Sequence, residues 1–289
     1  MPHLTLSEQP ELHEPTFLAA FRGWNDGSES ATLALSHLIE TWAAKPFAEI
    51  DPEEFYDFTV ARPMIRVTEE GLRDLRWPSN RFYYHRAEEG DYVLLMGTEP
   101  HLRWRTFTET VRELYERLGG ARLVTLGALV AATLHNRPPP ITGFATEEKL
   151  QQGLVELGVA RGRYEGPTGI VGTMHDAWRR AGLPSASLWV AVPAYVGNAT
   201  NPSAALGLLR ALERLLDVRL DVGGLPEAAA AFVEQVDQAL AANDELRAYL
   251  VELEQRLDAD DGGEPRELPS PGEVIGDLEE FLREQRKDE

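Results

Sequence analysis

Residues 122–140, RLVTLGALVAATLHNRPPP, decide the fold. The run begins apolar and β-compatible and stops abruptly at His135, Asn136, Arg137 and three prolines. A strand that is apolar throughout is one buried on both faces of a sheet, and its carboxyl end is where α/β sheets present side chains to ligands. The pattern recurs three times. TFLAAFR (16–22) breaks at Gly23-Trp24-Asn25-Asp26-Gly27, DYVLLM (91–96) at Gly97-Thr98-Glu99-Pro100-His101, and SLWVAV (187–192) at Pro193-Ala194-Tyr195-Val196-Gly197-Asn198. Helical spacing appears between these runs, in Ala31, Leu35, Leu38 and Trp42, in Trp104, Phe107, Val111, Leu114 and Leu118, and over 203–216. Strand–helix alternation with short connections predicts an α/β fold with a mainly parallel central sheet flanked by helices.

Three regions depart from this plan. Residues 1–14 are polar, carry two prolines and read as a flexible arm. Within the core, taken as 15–225, residues 47–85 read as a β-rich insertion built of the short runs FYDFTV, MIRV and RFYYH. Its aromatics suit a contact surface, and an ordinary extension of the sheet accounts for them equally. Residues 226–289 form an acidic helical region. Phe232, Val236, Ala239, Asn243, Leu246, Leu250, Leu253 and Leu257 follow 4-3-4-3 spacing, which predicts one long helix over 227–258. A linker (258–272) and a short amphipathic helix (273–285, with Val274, Leu278, Phe281 and Leu282) follow, and together these elements read as a lid over the strand ends.

Composition narrows the partners. The formal charge is −20, and 19 acidic against 6 basic side chains fall in residues 226–289. Such a surface argues against nucleic-acid backbones and anionic membranes. There is no cysteine, which excludes disulfides, thiol catalysis and Cys-ligated metal sites. The N-terminal stretch has no basic n-region or apolar h-region, and no apolar run is long enough to span a bilayer, so the expected location is the cytoplasm.

The chemistry-bearing motifs are sparse. None of Lys45, Lys149 and Lys287 lies in a glycine-rich loop, so no P-loop is present. There is no Gly-x-Ser-x-Gly elbow and no His-Glu-x-x-His pair. YEGPTGIVG (164–172) reads as glycines around a short β-run ahead of a helix at 174–181. The seven histidines show no paired metal spacing, and no metal or other cofactor is expected. His175 and Asp176 read as surface or cap residues. The candidates for a ligand site are the strand-end residues. Asn25 and Asp26 either bind a ligand or cap the following turn. Glu99 is either a general acid/base or a cap of the helix at 101–118. His135 ends the central apolar run and, histidine being a common general acid or base, is the best single candidate. Tyr195 and Asn198 suit a ligand wall or plain packing.

With these residues in view, the chain resembles the PAC2 family, named for proteasome assembly chaperone 2, and its actinobacterial branch in particular. GWNDGSESAT (23–32), ARPMI (61–65), WPSNRFYYH (77–85), LLMGTEPHLRW (94–104), VTLGALVAATLHNRPPPITGFAT (124–146), YEGPTGIVG (164–172) and LWVAVPAYV with a following NP carry the resemblance over roughly 16–220. It implies a phosphorylase/hydrolase-like α/β core, a homo-oligomer (trimer first, dimer next) and no established activity. The function expected on this basis is a non-enzymatic assembly or interaction protein, chaperone-like, with a protein partner or a small-molecule ligand at the carboxyl edge. The alternative is a small-molecule hydrolase or phosphorylase-like enzyme using Glu99 and His135.

Overall fold

A computed structural model describes residues 2–68, 71–162, 164–197, 199–241 and 243–259. In chain order, β1 (Leu4–Leu6) and β2 (Thr16–Arg22) precede α1 (Ser30–Thr41). Next come β3 (Lys45–Ile50), β4 (Met64–Val67), β5 (Arg73–Arg76), β6 (Asn80–Ala87) and β7 (Gly90–Thr98). Then α2 (Trp104–Arg117), β8 (Arg122–Ala131), β9 (Ile141–Ala145), α3 (Glu148–Glu156) and β10 (Ala160–Arg161) follow. The chain continues with α4 (Ile170–Ala181), β11 (Ser185–Pro193), α5 (Pro202–Leu216), α6 (Leu225–Ala241) and α7 (Asp244–Ala259).

Nine strands form one sheet in the order β1-β3-β6-β7-β2-β8-β11-β9-β10. The four apolar runs singled out in the sequence are its heart, β7-β2-β8-β11, and all four are parallel. β6, β3 and β1 extend one side in antiparallel fashion, and β9 is antiparallel to β11 on the other. Alternation along β2 splits its side chains between the two cores. Leu18 and Ala20 join α1 and α5, whereas Phe17, Ala19 and Phe21 join α2 and α4. Gly127 opposes Trp189 across β8 and β11, and a Cβ there would lie 2.6 Å from the indole. The glycine inside this central strand therefore makes room for the tryptophan.

Several expectations are corrected. The N-terminal segment is not a free arm: β1 pairs with β3, and Ser7 donates to the Phe47 carbonyl at 3.0 Å. The 47–85 region divides. β3 and β6 belong to the main sheet, only β4 and β5 form a separate hairpin, and FYDFTV is turn rather than strand. The predicted β-run in YEGPTGIVG is instead the first turn of α4. The stripe at 227–258 is two helices, broken ahead of Asn243, whose Oδ1 accepts from the Leu246 amide at 3.0 Å. An Asn cap suits that break better than a heptad core position. The predicted helix at 273–285 lies outside the described residues.

His175 is buried in α4, not a surface residue. Its Nε2 meets Thr125 Oγ1 and its Nδ1 meets Ser185 Oγ, each at 2.8 Å, so it pins α4 to β8 and β11. Burial drops its pKa from 6.5 to about 4. Asp176 does lie on the surface, paired with Arg179 and Arg180. A base with a depressed folded pKa stabilises the fold fully above its unfolded value and loses that contribution as pH falls towards the folded one. Unfolding stability should therefore fall between pH 6.5 and about 4. Replacing His175→Gln should flatten that part of a pH series of urea melts.

Candidate functional site

Because β7, β2, β8 and β11 are parallel, their carboxyl ends share one edge of the sheet. Glu99 follows β7, Asn25 and Asp26 follow β2, His135 follows β8, and Tyr195 follows β11. Asn198 lies outside the described residues.

The first group is built on Glu99. Its Oε1 accepts from Asn25 Nδ2 and from the Ile170 amide, both at 2.8 Å. The second bond caps the N-terminus of α4, where the carboxylate also meets the positive end of the helix dipole. Glu99 thus caps a helix, but a remote one. The helix predicted at 101–118 begins instead after Arg103, in left-handed conformation, with no side-chain cap. Gly169, at the start of α4, is a close-approach position: a Cβ there would lie 2.5 Å from both Asn25 Oδ1 and Glu99 Oε1. Asn25 is buried, and its Oδ1 has no hydrogen-bond partner. The three motifs GWNDG, GTEP and YEGPTG therefore meet through Asn25, Glu99 and Gly169.

The second group is Asp26 at the start of α1. Oδ1 accepts from the Ala31 amide at 2.7 Å and the Thr32 amide at 3.2 Å, and Oδ2 accepts from the Thr32 hydroxyl. Burial raises its pKa, opposed by these same bonds. Asp26 acts here as a helix cap, with its acceptor sites turned inward. Ser28 and Glu29 beside it both hold positive φ, at 52° and 49°. That backbone strain is offset by Ser28 Oγ donating to the Gly197 carbonyl and by the Asn201 amide donating to the Ser28 carbonyl, each at 3.0 Å.

The third group is His135 with Tyr195 and Asp237. The His135 amide donates to Tyr195 Oη at 2.8 Å, His135 Nδ1 lies 2.7 Å from that oxygen, and Nε2 lies 2.9 Å from Asp237 Oδ1. One proton arrangement satisfies every contact. The tyrosine hydroxyl donates to Nδ1, and Nε2–H donates to the carboxylate. Burial pushes the Tyr195 pKa up, so the hydroxyl keeps its proton. Asp237 comes from α6. It escapes sequence reading because its only signal there is a polar position beside the apolar stripe. Leu134, Tyr195 and Val196 pack against Phe232, Val236, Leu240, Leu246 and Leu253, so the histidine ties a helical cover to the strand ends.

Asn25 and Glu99 are therefore joined, as are His135 and Tyr195, while among the described residues Glu99 and His135 share no hydrogen-bond partner. Among the described residues no group of three or more His, Asp or Glu is arranged to hold a metal ion. No described helix is long and apolar enough to cross a membrane.

Comparison with known proteins follows the same stretches. Residues 20–240 match the sequence model of the PAC2 family. A PAC2 family protein from Streptomyces avermitilis is similar at 40% identity and TM-score 0.74, covering 81% of this chain and 99% of that one. A Mycobacterium tuberculosis proteasome-assembly chaperone homologue is similar at 39% identity and TM-score 0.74, with coverage of 81% and 99%. A second M. tuberculosis protein, of unknown function, aligns at 25% identity and TM-score 0.81 over 98% of this chain and 96% of its own. No functionally curated protein matches the chain.

Two outcomes test the networks. Gly169→Ala should cost about 1–3 kcal/mol in a urea melt, the range for forcing a methyl into a packed site, whereas Glu99→Gln, which keeps an acceptor for Ile170, should cost less. Tyr195→Phe leaves the His135 amide without its acceptor and should cost about 1–3 kcal/mol. Hydrogen exchange in that variant should speed up most in α6 and α7.

Proposed function

The chain belongs to the PAC2 family, and on that premise we propose that it works as a homo-oligomeric assembly protein, chaperone-like, rather than as an enzyme. The β4–β5 hairpin carries this proposal. Its root is held by the Phe58–Trp77 ring contact at 4.6 Å, but both of its faces meet solvent. Met64, Ile65, Val67, Leu72 and Leu75 are all exposed, Val67 at 71%. A two-stranded hairpin alone is marginal in water, and an apolar one needs a surface to cover it.

A second copy of the chain suits that role. The hairpin region sets Arg62, Arg66, Arg73 and Arg76 against Glu69, Glu70 and Asp74, and Arg76 is paired with Asp74, so its exposed apolar side chains rather than its charge carry the contact. The chain also exposes Trp24, Leu129 and Val130 at the ends of the adjacent strands β2 and β8. Repeated head to tail, such a contact builds a ring when its rotation closes, and three subunits is the number we propose, as the family resemblance implies. The inward-facing bonds of Asp26 and Glu99 support the same reading, since carboxylates engaged as helix caps are poorly placed to transfer protons.

Light scattering at micromolar concentration should give three times the chain mass. Ile65→Asp together with Val67→Asp should give the monomer mass with an unchanged circular dichroism spectrum. A monomeric parent protein would refute the oligomer, and a trimer indifferent to the hairpin variant would refute the hairpin as its contact.

A further inference from the structure

An open groove of about 500 Å³ lies between the loop at 135–141, α5 and α6. Pro138, Pro139, Ile141, Leu206, Ala230 and Val233 give it an apolar floor. The prolines have no amide to donate, so this wall cannot extend a β-sheet into the groove. Ser203, the one hydroxyl in the lining, donates to the Ala229 carbonyl at 3.3 Å. The floor therefore suits apolar side chains. Three guanidinium groups stand on the walls, those of Arg137, Arg210 and Arg214, and among the described residues no Asp or Glu lines the groove.

The three arginines are not equally engaged. Arg137 holds Asp258 at 2.8 Å and Glu254 at 3.0 Å, both on α7. Arg210 holds Glu213 at 2.6 Å. Arg214 donates to the carbonyls of Leu157 at 3.1 Å and Arg210 at 3.3 Å, so among the described residues its charge has no carboxylate partner. Two guanidiniums against one carboxylate leave this end of the groove positive. Arg210 and Arg214 are exposed and stand one turn apart on α5, and Leu206 lies one turn before them. Along about 12 Å of helix, α5 thus presents an apolar anchor and then two cations. Carboxylates four residues apart on a facing helix repeat at the same interval. At 0.1 M salt, charges farther off than about 10 Å are screened, so this local pair outweighs the net charge of −20.

We propose that the groove between residues 135–141, α5 and α6 is a docking site for a short acidic amphipathic helix of a partner protein. The apolar side of that helix covers Pro139, Ile141, Leu206 and Val233. Two of its carboxylates, one turn apart, meet Arg210 and Arg214. An amphipathic helix laid into an apolar groove is an established mode of recognition, and an open groove suits it better than a small ligand, which needs enclosure. This contact with a different protein goes beyond the contact between copies at the hairpin, and each can fail while the other stands.

The probe is a fluorescein-labelled model helix of leucine and alanine with two glutamates four residues apart, compared with the same peptide carrying glutamine at both positions. Fluorescence anisotropy with the full-length protein should show saturable binding, about fivefold tighter for the glutamate peptide, as for two exposed ion pairs. Arg210→Gln together with Arg214→Gln should abolish that difference and leave the glutamine peptide unaffected, whereas Arg179→Gln together with Arg180→Gln on α4 should change neither. Ala230→Trp, which fills the groove, should abolish binding of both peptides with the circular dichroism spectrum unchanged. Absence of saturable binding, or equal affinity for the two peptides, would overturn the proposal. A lysine version that binds as tightly would reduce the contact to attraction by net charge and overturn it too. A lower mass for Ala230→Trp in light scattering would assign the groove to the contact between copies instead.

Discussion

The structure depends on burying four apolar strands on both faces at once. Phe17, Leu18, Ala19, Ala20 and Phe21 are all essentially inaccessible, and successive side chains enter opposite cores. Such a strand has no face to give to water, so helices must cover both sides of the sheet. Parallel neighbours then need long crossover connections, which those helices supply. A parallel quartet also collects its carboxyl ends along one edge, and Asn25, Asp26, Glu99, His135 and Tyr195 lie along that edge because of this constraint.

That edge is dense with hydrogen bonds, yet most of them point inward. Asp26 holds α1, Glu99 holds α4, and Asn201 Oδ1 accepts from the Ala204 amide to cap α5. Three helices therefore begin under the control of oxygen acceptors set at or near strand ends, as exposed helix amides require. His135 and Tyr195 do the corresponding work for the C-terminal helices, with Asp237 as the outer partner. The edge acts as the joint between the sheet and its covering helices, and among the described residues Asn25 Oδ1 is a buried acceptor of this group left without a donor.

The surfaces that remain free differ in kind. The β4–β5 hairpin is apolar and arginine-bearing, with no core beneath it, while the groove beside α5 and α6 is apolar at its floor and basic on its walls. Both stand out on a chain whose formal charge is −20.

The sequence by itself determined the four central strands, their breaks, and the helices that follow the first two of them, the second expected from residue 101 and starting at Trp104, because apolar runs and helical spacing are local signals that burial only reinforces. It also determined that the candidate residues follow strand ends. Tertiary structure alone decided which of them meet. Glu99 reaches Asn25 and the start of α4 because Gly169 admits the approach, and nothing in spacing pairs residue 99 with residue 170. His135 finds Asp237, a residue 102 positions away, because α6 packs on Leu134, Tyr195 and Val196, which follow β8 and β11. Strand pairing of residues 4–6 and the break at Asn243 were hidden for a related reason. The sheet edge recruits Leu4-Thr5-Leu6 by backbone bonds and two half-buried leucines, a stretch too short to show a period, and a heptad pattern reads the same whether one helix carries it or two helices packed together.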